Sequence, residues 1–301
     1  MWRRRCQERQ PEGGRARAYI GNRDDASARK DHALAQIRRE LEMTGVPLDT
    51  IAAHLDALLR VGEIPDYPQA LNGLQVEHRG PVTKLAAAVD VSARTIRGAV
   101  ATGANMILVH HGLFWGGLQP ITGSYYSRVR LLLDHDVALY SAHLPLDTHP
   151  AFGNSLLLSR ELGLQAGAGF ARHESIDCGV RGTGDITTAD LVSQLNVFAR
   201  SQGGSAVASA ITPGRRTRHW AICSGAGVNA DTLREAHELG VDTLISGEGP
   251  HWSAVDAEER GLVIVYAGHY ATETLGVRAL AEHLSVTYGI PWTFVAAPTG
   301  L

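Results

Sequence analysis

Five residues in this chain place imidazoles and carboxylates where strands should end. His110 and His111 stand in "ILVHHGLFW" (107–115), Asp147 closes "VALYSAHLPLD" (137–147), and His269 and Glu273 close "VIVYAGHYATE" (263–273). Each follows an aliphatic run of strand length, and in open α/β sheets ligands bind just beyond the carboxyl ends of the strands. Three imidazoles and two carboxylates form a mixed N/O set suited to Zn, Fe, Mn or a similar divalent ion. Adjacent strand residues point to opposite faces. A strand ending at Val109 would therefore leave two diverging imidazoles, each able to face a different ion. Glu273, expected in the first turn of a helix over 271–284, lies four residues after His269 and has the reach to bridge two ions. A single histidine is more commonly a structural residue than a ligand, so the argument rests on convergence.

Other candidates carry less. His143 precedes Asp147 by four residues, as His269 precedes Glu273, but Asp147 can reach inward without it. His143 is read as supporting a ligand or a bound group from behind. Glu248 ends another strand and could serve as an acid or base, or simply as a surface carboxylate. "SGAG" (224–227) is read as a strand-to-helix turn, with phosphate binding as the minority use. GxSxG and GxxxxGK[ST] are absent, and "GVRGTGD" (179–185) follows no clear strand at dinucleotide-binding spacing.

These residues need a scaffold, and the pattern supplies one. "PLDTIAAHLDALL" reads as a helix, "KLAAAVDV" (84–91) as a strand, "SARTIRGAVATG" as a helix capped by Ser92, and "NMILV" as the next strand. A strand–helix–strand unit implies parallel pairing. Residues 92–115 align without gaps on 229–252 at an offset of 137, matching Thr95 to Thr232, Gly103 to Gly240, Gly112 to Gly249 and Trp115 to Trp252. The fold class expected is α/β: two similar halves related by internal duplication, 43–166 and 167–301, with the metal site at their interface.

Composition is that of a globular protein, with 44% hydrophobic and 20% charged residues, and no apolar run approaches membrane-spanning length. Three separated cysteines suggest no disulfide framework and a cytoplasmic location. A net charge of −3 gives no specific nucleic-acid signal. Residues 1–42 carry ten Arg and one Lys against seven acids, leaving the rest at −7, and lack aliphatic periodicity. A basic, disordered extension is expected there, or a true start at Met43.

At "NGLQV" (72–76), "ILVHHGLFW", "YSAHLPLDTHPAFGN" (140–154), "ISGE" (245–248) and "YAGHYATE" (266–273), the chain strongly resembles the GTP cyclohydrolase I type 2 family. These are the dinuclear metal-centre proteins related to yeast NGG-interacting factor three, and the resemblance runs from about residue 46 to the end. It implies that His110, His111, Asp147, His269 and Glu273 coordinate two divalent metals. His111 and Asp147 would hold one ion, His110 and His269 the other, with Glu273 bridging. It also implies intertwined α/β domains, a homohexamer with centres facing an inner cavity, and a hydrolase that opens the imidazole ring of a guanine nucleotide. A non-catalytic metal- or nucleotide-binding regulator and a metal-dependent phosphoesterase are the alternatives. Tyr270 stands where the family often has a second His, and residues 1–42 have no family counterpart.

Overall fold

The computed structural model describes residues 45–301, so the expectations for residues 1–42 and Met43 lie outside the described residues. The chain opens with β1 (Val46–Pro47), α1 (Leu48–Leu59), β2 (Gly73–Val76), β3 (Pro81–Val82) and β4 (Leu85–Asp90). There follow α2 (Ala93–Ala101), β5 (Met106–His111), α3 (Gly123–Asp134), β6 (Ala138–Ser141), a single turn α4 (Leu144–Asp147) and α5 (Asn154–Glu161). A long hairpin, β7 (Ala166–His173) and β8 (Ile176–Thr187), leads to α6 (Thr188–Ser201), β9 (Val207–Ala208), β10 (Arg216–Cys223) and α7 (Ala230–Glu238). The last elements are β11 (Thr243–Ser246), α8 (His251–Glu259), β12 (Val263–Tyr266), α9 (His269–Thr272), α10 (Thr274–Tyr288) and β13 (Trp292–Phe294).

Two sheets organise these elements. The first runs β13-β4-β5-β6-β2, parallel except for β2; the second runs β7-β8-β10-β11-β12-β9, with β10, β11 and β12 parallel. Both sheets are covered on both faces, which is why their central strands read as continuous apolar runs. The repeat offset holds in the elements: α2 and α7, and the starts of β5 and β11, are each 137 residues apart. Ser92 caps α2 by accepting from Thr95 N–H, and Asn229 caps α7 by accepting from Asp231 and Thr232 N–H.

Strand parity sorts the core. Leu85, Ala87, Met106, Leu108 and Tyr140 face the cluster formed with α1 and α10, where Ile51, Leu55, Val277 and Leu284 are also buried. Ala86, Ala88, Ile107, Val109 and Leu139 face the opposite cluster with Ile96, Ala99 and Leu132. In the second sheet Trp220, Ile222, Ile245 and Val265 pack against α6, while Ala221, Leu244 and Ile264 pack with Leu233, Ala236 and Ala257. Burying such side chains on both faces, at about 25 cal/mol per Å², is the main stabilising contribution.

Three expectations are corrected. First, β5 does not end at Val109. It continues through His111, which pairs with Asp90 on β4, and His111 C=O accepts from Val91 N–H at 3.1 Å. Second, the helix expected over 271–284 is two helices, α9 and α10, with Glu273 at the joint (φ −108°, ψ 4°). Third, the second half is not the continuous segment 167–301. Helix α10 packs in the α1 core and β13 pairs with β4 of the first sheet, so residues 274–294 return to the first half and intertwine the two. The apolar face of α10 (Val277, Leu280, Ala281, Leu284) is what drives that return.

Candidate metal centre

All five candidate residues converge. His110 Nε2 lies 3.4 Å from Asp147 Oδ2 and 3.6 Å from Glu273 Oε1. His111 Nε2 lies 3.4 Å, and His269 Nε2 3.1 Å, from Glu273 Oε2. Glu273 thus presents one oxygen to His110 and the other to His111 and His269. The ligand atoms of His111, His269 and Glu273 form one close group, and those of His110, His111 and His143 another. These buried His and Glu groups could hold metal ions.

Proximity groups the side chains differently from the pairing that the resemblance implies. His110, not His111, stands beside Asp147, and His111, not His110, stands beside His269, with ring centroids 5.3 Å apart. Parity explains it. His110 continues the Met106, Leu108 face toward α10 and the end of β6, where α4 carries Asp147. His111 leaves the strand on the other side but curls over its end, so that the two rings lie 4.7 Å apart and both reach Glu273.

Each imidazole is oriented through its other nitrogen. His110 Nδ1 pairs with Ala142 O at 2.9 Å, His111 Nδ1 with Asp90 Oδ1 at 2.9 Å, and His269 Nδ1 with Glu248 Oε1 at 2.8 Å. Asn154 Nδ2 donates to Asp147 Oδ1 at 2.9 Å, which leaves Oδ2 toward His110. This fixes tautomer and ring direction, as outer partners do in metal sites. The Nε2 atoms of His110 and His269 and Oε2 of Glu273 are then buried without a hydrogen-bond partner among the described residues. Buried polar atoms are nearly always satisfied. Three such atoms aimed at one another could hold a cation, and the donor set fits one.

The charges agree. Burial opposes a charge on His110, but the Asp147 and Glu273 carboxylates outweigh it and raise its pKa well above the ordinary imidazole value. Burial likewise lowers His269, yet Glu273 and Glu248 bring it up to about 9. Burial would raise Glu273, but His111 and His110 hold it well below the usual carboxylate range. Metal-free, the cluster keeps protons where positive charge is wanted.

His143 lies against the cluster. Its Nδ1 is held by Asp66 Oδ1 at 2.8 Å, and its ring packs beside His110 (4.9 Å) and edge-on to Trp115 (4.7 Å). The loop 224–227 is the strand-to-helix turn after β10, and it lies against the cluster. Gly225, at φ +61°, lies so close to Glu273 that a Cβ there would meet Oε1 at 2.0 Å. Glu248, read as a possible acid or base, orients His269. Tyr270 is buried, and its hydroxyl accepts from Ala297 N–H at 2.9 Å. A cleft of about 1090 Å³ opens onto the cluster between Tyr67, Trp115, Arg128 and the 224–227 loop.

Comparison with known proteins identifies the family. The family model of Duf34/NIF3 (NGG1p interacting factor 3) matches residues 46–298. The chain belongs to the Duf34/NIF3 family. A Deinococcus radiodurans member, named "GTP cyclohydrolase 1 type 2 homolog", is 39% identical over 260 residues, covering 84% of this chain and 94% of that one. A Halobacterium salinarum protein of the same name is 42% identical over 244 residues, covering 79% and 94%. Among solved structures, a Thermus thermophilus protein superposes with a TM-score of 0.75 at 35% identity, covering 85% of this chain and all (100%) of that one. The protein ybgI, of unknown function, gives 0.77 at 32% identity and the same coverage. The α/β fold is therefore that of the Duf34/NIF3 family.

Asp90, Asp66 and Asn154 were missed from sequence. Asp90 had a signal, as the last residue of the strand neighbouring β5. Asp66 and Asn154 act from loop and helix start across 77 and 7 residues, and local pattern shows neither.

Proposed function

We propose that this Duf34/NIF3 protein holds two divalent metal ions per chain and acts as a metal-dependent hydrolase on a nucleotide. The observation that carries the metal reading is the set of buried, unpartnered atoms His110 Nε2, His269 Nε2 and Glu273 Oε2. His110 and Asp147 would hold one ion, His111 and His269 the other, and Glu273 would bridge them. When bound, such ions act as Lewis acids and lower the pKa of bound water, which is the chemistry ring-opening hydrolysis needs. Around them the chain's own residues have separate tasks. Asp90, Glu248 and Ala142 O keep the imidazoles aimed. Trp115, edge-on to His143 and His111, narrows the approach from the cleft and offers an indole N–H.

The nucleotide and the hydrolase class come from the relatives' name, "GTP cyclohydrolase 1 type 2 homolog". The cleft's aromatic and cationic wall is compatible with them. Duplication of the halves, a cytoplasmic location and a homohexamer belong to the same proposal, and light scattering reads the last. The functional test is turnover of metal-loaded protein against a panel of nucleotides, followed as release of the C8 carbon as formate. Turnover of one nucleotide, absent in Glu273→Gln, is expected. Binding without turnover across the panel would replace the enzyme by the regulatory reading.

A further inference from the structure

A second pair of imidazoles lies away from the centre. His54 is on α1 and His283 on α10, and their Nε2 atoms are 3.0 Å apart, with ring centroids 5.2 Å apart. Both rings are half-buried, so solvent reaches them. Both come from the middle of helices whose apolar faces are locked in one core by Ile51, Leu55, Leu280 and Leu284. Their spacing is therefore set by rigid elements. Tyr288 packs edge-on against His54, and Phe152 lies tilted against His283.

We propose that His54 and His283 form a separate site for a divalent transition-metal ion, bridging α1 and α10. With each ring turned from its present nearly head-on direction, an ion about 2.05 Å from each nitrogen would see them at an angle of about 94°. That is close to adjacent positions of a square-planar or octahedral ion and well short of the tetrahedral angle. The chemistry it selects is Cu(II) or Ni(II), which favour imidazole nitrogens in tetragonal geometry, rather than a closed zinc site. No net proton release is required. In the metal-free pair one ring donates to the other, and an ion would use both Nε2 lone pairs once the donor's proton moves to its Nδ1. Burial and the neighbouring His283 both lower the pKa of His54, which favours the neutral form that binds metal. His283 is ten residues along the helix from Glu273, about 15 Å at helical rise. The inference is independent of what occupies the centre.

The test is copper binding by the full chain after its centre has been saturated with zinc, read by titration calorimetry and electron paramagnetic resonance. One further equivalent of Cu(II) is expected, with nitrogen hyperfine structure from two imidazoles. His54→Gln and His283→Gln should each weaken it roughly hundredfold, because the second ligand no longer acts intramolecularly. Exposed His135→Gln should leave it unchanged, and zinc content should be equal in all four proteins. Copper affinity independent of both substitutions, or a wild-type spectrum showing one nitrogen or none, would overturn the proposal. Because Cu(II) binds imidazole sites more tightly than Zn(II), bound zinc is counted after the copper step: a two-nitrogen wild-type spectrum with zinc fully retained supports the proposal even if a variant folds poorly, and zinc displaced one for one by copper overturns it.

Discussion

Gly225→Ala separates the role of the 224–227 loop from ordinary backbone strain. Gly225 has φ +61°, and an added Cβ would meet Glu273 Oε1 at 2.0 Å, Glu273 Cδ at 3.0 Å and His269 Nε2 at 3.3 Å. Gly214 has φ +76° with nothing within 4 Å of the same position. Both substitutions place an L side chain in the left-handed region, at a cost of about 1–2 kcal/mol. Gly214→Ala should cost no more. Gly225→Ala must also push the Glu273 carboxylate aside, which strips buried His110 and half-buried His269 of their counter-charge, a further ~1–3 kcal/mol for groups left unsatisfied. The expected loss is therefore about 2–5 kcal/mol against about 1–2 for the control. Urea unfolding of both variants with chelator present gives these values, and metal content should fall in Gly225→Ala alone. Equal destabilisation of the two variants with full metal content in both would refute the reasoning.

Four further outcomes follow from the geometry. His110→Ala and Asp147→Ala should empty one metal position, and His111→Ala and His269→Ala the other; elemental analysis of each reconstituted variant reads the pairing. Chelation should lower the melting temperature and added metal restore it, by about 2.7 kcal/mol at a hundredfold excess over Kd, with a smaller effect in Glu273→Ala. Metal uptake should release protons. The His269 pKa of about 9 in the metal-free chain means it carries a proton at pH 7, so affinity should rise with pH up to about 9, and calorimetry in buffers of different ionisation enthalpy counts the protons. Asp90→Asn and Glu248→Gln, which keep shape but remove the carboxylate behind His111 and His269, should weaken metal binding about 10–100-fold in a chelator competition.

Much of the centre was legible in the chain because its ligands follow apolar strands, and strand ends are where α/β folds bind. The parity of β5 explains why His110 and His111 leave the strand on opposite sides, but their rings then meet over its end, 4.7 Å apart. The same parity, applied one step further, would have put His110 with Asp147: Met106, Leu108 and His110 share the face that Tyr140, Ala142 and Leu146 also line. What could not be read was set by tertiary registration. Asp90 meets His111 because β4 and β5 pair in that register. Gly225 looked like any turn glycine until Glu273 was seen against it. The break at Glu273 left no mark either, because "HYATETLGVRALAEHL" has no Pro, and its one Gly, Gly276, lies three residues past the joint. The return of α10 and β13 to the first half likewise depends on which core their apolar faces fit.

The most direct test of the central claim is an anomalous difference map from crystals grown with manganese. Two peaks roughly 3.5–4 Å apart are predicted, one beside His110 and Asp147, the other beside His111 and His269, with Glu273 between them. A single peak, or peaks away from the orphaned Nε2 atoms with the cluster filled by water, would contradict it.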